Sequence, residues 1–111
     1  MSAPNARQMS LEICRAIPAG HPSLAGHFPE APIVPGVVIL DEVAAALAER
    51  RRDCQLTRIC AAKFLLPLKP GQPFTISFTA ANEQDRRINF RCRADSRTLV
   101  EGRVELSRRA E

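Results

Sequence analysis

The 111-residue sequence contains no tryptophan and no tyrosine, so five phenylalanines make up its whole aromatic content. Proteins that bind single-stranded nucleic acid stack bases on aromatic rings, and proteins that read duplexes carry helix-turn-helix or zinc-binding signatures. The chain shows neither device. Its net charge of +4, which comes from fourteen arginines and two lysines, therefore indicates an acidic partner but does not favour nucleic acid.

Long apolar runs and paired cysteines are also missing. No segment approaches the ~18 apolar residues of a membrane span, and residues 1–7 lack the apolar stretch of a secretory signal. We therefore predict a cytoplasmic protein with no membrane span. The four cysteines contain no C-x-x-C pair, which predicts reduced thiols and no metal site. With 45% hydrophobic residues, we expect a single domain over residues 1–111 with a loose leader at 1–9.

Hydrophobic periodicity predicts one helix and five strands. Apolar and polar residues alternate near 11–14, 74–80, 87–94 and 100–106, and a long, mostly apolar segment covers 59–68. Residues 36–52 are apolar on nearly every side, which is typical of a buried helix. Since short polar turns join the later strands, we predict an α+β fold in which an antiparallel sheet wraps around this helix.

The segment before and into this helix is the most informative. Residues 26–41 read GHFPEAPIVPGVVILD, which places His27 in a proline-stiffened loop and Asp41 inside the apolar helix. These are the two group types that proton removal and hydroxide loss require. A histidine near its ordinary pKa of ~6.5 accepts a proton at neutral pH, and a buried carboxyl group keeps its proton more readily.

Each of these residues also has a simpler interpretation. His27 could cap backbone groups in its loop, and Asp41 could be an idle carboxylate that the helix dipole favours. Glu42 competes with Asp41, but it would point ~100° away around the helix, towards a wetter surface. We expect His21 to be structural, since two histidines six residues apart with no third ligand make a poor metal site.

The same segment closely resembles the signature of bacterial β-hydroxyacyl-acyl carrier protein dehydratases, which act in fatty acid synthesis and have the hot-dog fold. A second match, Lys63-Phe64-x-x-Pro67-x-x-Pro70-Gly71, is similar to the family's KF-x-x-P-x-x-PG strand and turn. Together the two segments cover about residues 21–80. In its length the chain looks more like the compact dehydratases of aryl-polyene and related specialised acyl pathways.

The resemblance implies a 3-hydroxyacyl-[acyl-carrier-protein] dehydratase that uses no cofactor and is at least dimeric. It implies that His27 removes the C2 proton and that Asp41 of the opposite subunit protonates the leaving hydroxyl at the dimer interface. The backbone N–H of Gly36 would hold the thioester oxygen. The residues expected to contact the substrate are Phe28, Pro35, Gly36 and Val37.

The implied partner is an acyl carrier protein that presents a 3-hydroxyacyl-phosphopantetheine arm. The basic residues that could receive it are Arg50, Arg51, Arg52, Arg58, Lys63 and Lys69. The chain departs from the family at Ala45, where a glutamine is usual. Two alternatives follow: a weakly active acyl-binding subunit that pairs with a paralogue in a heteromeric dehydratase, and a hot-dog thioesterase in which Asp41 activates water.

Overall fold

The computed structural model describes residues 9–18, 33–80 and 86–108. Its elements in chain order are β1 (Met9–Arg15), α1 (Gly36–Arg50), β2 (Cys54–Phe64), β3 (Phe74–Ala80), β4 (Arg87–Ala94) and β5 (Arg97–Arg108). The strands form an antiparallel sheet in the order β1-β3-β4-β5-β2, so β1 and β2 are its edges. A helix and an antiparallel sheet confirm the predicted α+β architecture. The expected leader lies outside the described residues except for Met9, with which β1 begins.

The central strands bury every second side chain, as their alternation predicts. In β3 and β4 the buried residues are Phe74, Ile76, Phe78, Ala80, Ile88, Phe90, Cys92 and Ala94. The register places Ile76 opposite Cys92 and Phe78 opposite Phe90, so these side chains pack in rows on one face. The intervening residues of both strands are polar and face the other side of the sheet.

Helix α1 buries one face against this apolar surface. Its buried residues are Val38, Ile39, Val43, Ala46 and Leu47, a spacing that follows the helical repeat. The prediction that the helix is buried on nearly every side is wrong, because Val37, Asp41 and Ala45 are exposed. A single sheet covers only one side of a helix, and a run of alanines makes the uncovered side look apolar in sequence.

The helix also ends before residue 52, the predicted limit. Arg51 leaves the helical conformation with φ −124° and ψ 70°, while its N–H still donates to the carbonyl of Leu47 at 2.8 Å. The carbonyl of Arg51 then accepts from the N–H of Cys54 at 3.0 Å. This tight turn leads the chain directly into β2.

Strand β2 differs most from its predicted span of 59–68. It begins at Cys54, because the polar residues at its start still pair with β5. It ends at Phe64, because the N–H groups of Leu65 and Leu66 both donate to the carbonyl of Leu99, at 2.7 and 3.2 Å, and so leave the ladder.

Backbone hydrogen bonds fix the approach to the helix. The N–H of Val34 donates to the carbonyl of Leu68 at 2.8 Å, so the residues before α1 are tied to those after β2. Both side chains are buried. All four cysteines are free thiols, with Cys54 and Cys92 buried and Cys14 and Cys60 exposed. No helix in the described ranges is long and apolar enough to cross a membrane.

Candidate functional site

The N-terminus of α1 has no side-chain cap. Pro35 precedes the helix with φ −58° and ψ 144°, and its carbonyl accepts hydrogen bonds from the N–H groups of Val38 and Ile39. The N–H groups of Gly36 and Val37 donate to no acceptor within residues 9–18, 33–80 and 86–108. Because the helix dipole adds partial positive charge here, these two amides can bind an oxygen that gains negative charge.

Gly36 lies directly under the aromatic ring of Phe64, the last residue of β2. A Cβ on residue 36 would come within 2.5 Å of the ring atom Cε1 and 2.9 Å of Cζ. Only glycine therefore permits this packing without movement of the ring. The Phe64 side chain remains 53% exposed, so part of it faces outward beside the helix N-terminus.

More apolar surface is exposed around this point and along β2. Val37 is 63% exposed at the start of the helix, and Ile59 of β2 is also exposed. Leu65 and Leu66, which follow Phe64, are exposed as well. Nearly every position of β2 is exposed, and β2 is also an edge strand whose second side has no neighbouring strand in the described sheet. Unpaired edges with apolar side chains are sites of association with another chain.

Asp41 lies on the exposed face of α1, one turn after Val37 and one turn before Ala45. The prediction of a buried carboxylate is therefore wrong for the single chain, and Glu42, expected on the wetter side, is only partly exposed. The cause is the rotation of the helix: its buried stripe faces the sheet, which leaves Asp41 on the opposite side. The Asp41 carboxylate has no hydrogen-bond or ion-pair partner among the described residues.

His27, Phe28 and His21 lie outside the described residues. The structure thus places one part of the predicted site, the helix N-terminus at Pro35–Val37 together with Asp41 on the same helix. Phe64 also belongs to this site, although the sequence did not predict it as a site residue. Its K-F-x-x-P motif was an available signal, but the motif indicates a strand and a turn and does not reveal that the ring covers Gly36.

The predicted basic residues fall into two groups. Arg51 forms an ion pair with Asp53 at 3.6 Å, and Arg58 forms one with Glu105 at 3.4 Å. A hydrogen bond with Cys60 and the nearby charge of Glu105 raise the pKa of Arg58. The other four form no ion pair with any described residue. These are Arg50, Arg52, Lys63 and Lys69.

Two cavities lined by described residues lie away from this site. An open depression of about 870 Å³ lies on the polar face of the sheet, opposite the helix. Its lining keeps an excess positive charge, since Arg91 pairs with Glu101 and Arg93 with Glu12, each at 3.4 Å, whereas Arg103 donates to the amide oxygen of Asn89. Between helix and sheet, the space beside Leu47 measures about 10 Å³. That volume admits one water at most.

No group of three histidine, cysteine, aspartate or glutamate side chains that could hold a metal ion occurs within the described ranges. Among the described residues, the groups at the site are backbone amides, the Asp41 carboxylate and apolar surface. This combination suits an uncharged carbonyl substrate that acquires negative charge on oxygen during reaction.

Comparison with known families identifies the fold. The pattern of the ApeI-like family, described as ApeI dehydratase, matches residues 3–103. The chain belongs to the ApeI-like family. A solved member of similar shape is the dehydratase heterocomplex ApeI:P from Xenorhabdus doucetiae, with a TM-score of 0.71 and 25% identity over 96% of this chain and 93% of that one. The predicted hot-dog fold and the resemblance to compact dehydratases are thereby confirmed.

Other proteins show how far the likeness extends. The 3-hydroxyacyl-[acyl-carrier-protein] dehydratase FabZ of Chlamydia abortus is 34% identical over 98 residues, which cover 78% of this chain. Those residues cover 64% of the FabZ protein, so the chain spans less than two thirds of that relative. A mutant of the fluoroacetyl-CoA-specific thioesterase FlK has a TM-score of 0.67 and 14% identity over 96% of this chain and 89% of its own. This last likeness concerns the fold alone.

Proposed function

We propose that this protein is a hydro-lyase that converts 3-hydroxyacyl thioesters on acyl carrier protein to trans-2-enoyl thioesters. The observation that carries the proposal is the arrangement on α1 of the ApeI-like chain: two amides at its N-terminus, and the Asp41 carboxylate further along its exposed side, have no partner among the described residues. The dehydratase names of its family and of its FabZ relatives support the same reaction class.

The chemistry assigns one task to each group. His27 takes the C2 proton, and the electron pair shifts into the thioester, whose oxygen gains charge next to the Gly36 N–H. The C2–C3 double bond then forms as the C3–O bond breaks, and Asp41 gives its proton to the departing hydroxyl. One water leaves, and a proton passes from His27 back to Asp41 before the next turnover.

A second chain would complete this site. A carboxyl group that donates a proton near neutral pH needs apolar surroundings, yet Asp41 is exposed in the single chain. The edge strand β2 offers a means of association, because two copies can pair edge to edge and cover Ile59. We therefore propose a homodimer in which His27 of one protomer meets Asp41 of the other.

The carrier protein would approach near the end of β2. Lys63 and Lys69 flank the exposed segment that follows Phe64, and neither is paired with an acid in the described chain. Arg50 and Arg52 lie at the other end of α1, about 20 Å away for a helix of this length. Since an acidic carrier must deliver its arm to the Gly36 amide, the two lysines are better placed to receive it.

The test is the dehydration rate of 3-hydroxyacyl carrier protein of several chain lengths, followed by enoyl absorbance. We expect His27→Ala and Asp41→Asn each to lower kcat by about 10²-fold or more, since both groups transfer protons. Glu42→Gln removes the neighbouring carboxylate and should stay within about twofold of wild type. Near-wild-type rates in both folded variants would make the assignment wrong.

A weakly active partner subunit is the alternative with a specific observation behind it. Ala45 lies one turn from Asp41 and has no polar group with which to orient that carboxylate. On this alternative the purified protein is inactive, and activity returns when a paralogous dehydratase is added. Thioesterase activity is tested in the same assay, as free thiol released from acyl thioesters that lack a 3-hydroxyl.

A further inference from the structure

We propose that Phe64 is a positioning residue, whose ring covers the helix N-terminus and holds the thioester against the Gly36 amide. The inference rests on the proposed function and deepens it, because it assigns the wall of the oxyanion site to a named side chain. It concerns the juxtaposition of one aromatic ring and one glycine at the start of α1.

The ring of Phe64 lies unusually close to Gly36. A Cβ at position 36 would lie 2.5, 2.9 and 3.1 Å from Cε1, Cζ and Cδ1 of the ring, so one whole ring edge rests on the glycine. Real Cβ atoms do not approach carbon this closely. The Phe64 ring therefore covers Gly36 from the side of β2.

The backbone that carries the Phe64 ring is held in place by β5. Phe64 pairs with Val100 of β5, whose side chain is completely buried. Immediately after it, the N–H groups of Leu65 and Leu66 are anchored on the carbonyl of Leu99. The backbone before and after Phe64 is thus hydrogen-bonded to β5, and a residue anchored in this way holds a bound group more accurately than one on a mobile loop.

The Phe64 ring also lowers the local dielectric constant around the Gly36 N–H. A hydrogen bond from the Gly36 N–H to a charged oxygen is stronger where water is excluded, and an aromatic ring excludes water beside it. The ring is also 53% exposed, although it is one of the largest apolar side chains of the protein. Its outer part is therefore available to contact the apolar side of the thioester.

The experiment compares Phe64→Ala with Gln55→Ala, which removes an exposed side chain at the other end of the same strand. We expect Phe64→Ala to lower kcat about tenfold or more with little change in KM, because the thioester is misplaced in the transition state. Gln55→Ala should stay within about twofold. Circular dichroism and size-exclusion chromatography establish that both variants keep their fold and oligomeric state.

Gly36→Ala supplies the second measurement. Alanine keeps the backbone N–H, so its only new feature is a Cβ that pushes the Phe64 ring away. We expect Gly36→Ala to lower kcat in the wild type but to add little to Phe64→Ala, since no ring is left to displace. If Phe64→Ala does not fold, Phe64→Leu and its combination with Gly36→Ala carry the same comparison.

The outcomes separate this inference from the function on which it rests. If the wild type is active, three results would overturn the positioning role alone. The first is a Phe64→Ala rate near that of the wild type, and the second is an effect of Phe64→Ala that is confined to KM. The third is that the effects of Gly36→Ala and Phe64→Ala on kcat multiply independently. A wild type without dehydratase activity, alone or with a paralogue, would overturn the proposed function and this inference with it.

Discussion

Gly102 of β5 lies so close to Ala61 of β2 that a Cβ on residue 102 would overlap the Ala61 carbonyl oxygen. The pairing of the two strands shifts between Ile59 and Ala61, which brings this carbonyl towards the glycine. The ring of Phe90 lies against the other side, 2.9 Å from the same point. Position 102 therefore requires glycine for space, and the edge strand depends on it.

We expect Gly102→Ala to lower the free energy of unfolding by about 2–3 kcal/mol, because a backbone carbonyl and a buried ring must both move. Gly71→Ala is the control. Gly71 has φ +79° with no atom within 4 Å of its added Cβ, so alanine there costs about 1 kcal/mol from backbone strain alone. Denaturant titrations followed by circular dichroism give both values. Equal losses at the two positions would contradict the packing argument.

Cys92 predicts a specific loss of stability in alkali. Burial raises the pKa of its thiol to about 12, whereas the thiol ionises near 9.0 when the chain is unfolded. The stability is therefore complete below pH 9 and falls as the pH rises from 9 towards 12, because only the unfolded state releases the proton.

Between pH 9 and pH 10.5 this effect amounts to about 1.5 kcal/mol in the free energy of unfolding. Cys92→Ala should remove this part of the pH dependence, although it also lowers stability at every pH. Cys14→Ala should leave the slope unchanged, since Cys14 is exposed. Urea titrations at pH 8, 9 and 10.5 measure the slopes, and identical slopes for all three proteins would refute the assignment.

The edge strand predicts that dimerisation and activity are lost together. Ile59→Lys places a charge on the exposed part of β2, where two copies would pair, and lysine on an edge strand opposes pairing. We expect the variant to remain folded, to run as a monomer in sedimentation experiments and to lose most of the proposed dehydratase activity. Ser77→Lys, on the polar face of β3, is the matched control and should remain dimeric. A fully active monomer would contradict the shared site.

The strands with regular alternation could be predicted from sequence, and the surroundings of the site could not. Phe74–Ala80 and Arg87–Ala94 alternate cleanly because each has one buried and one solvated face. The exposure of Asp41 depends on which side of α1 meets the sheet, and the alanines around it carry too little side chain to indicate that side. The contact between Phe64 and Gly36 joins residues of two elements, so no local pattern contains it.

Ala45 provides a prediction about the activity of Asp41. The two residues lie one helical turn apart on the exposed face of α1, so a glutamine at position 45 could hydrogen-bond the Asp41 carboxyl group. An oriented proton donor transfers its proton more efficiently, and we expect Ala45→Gln to raise kcat about threefold to tenfold with little change in KM. Ala45→Leu has similar bulk without the amide and should give no increase. In an Asp41→Asn background the gain from Ala45→Gln should disappear. If the gain persists there, or if Ala45→Leu reproduces it, bulk at position 45 changes the rate and orientation of the Asp41 carboxyl group does not.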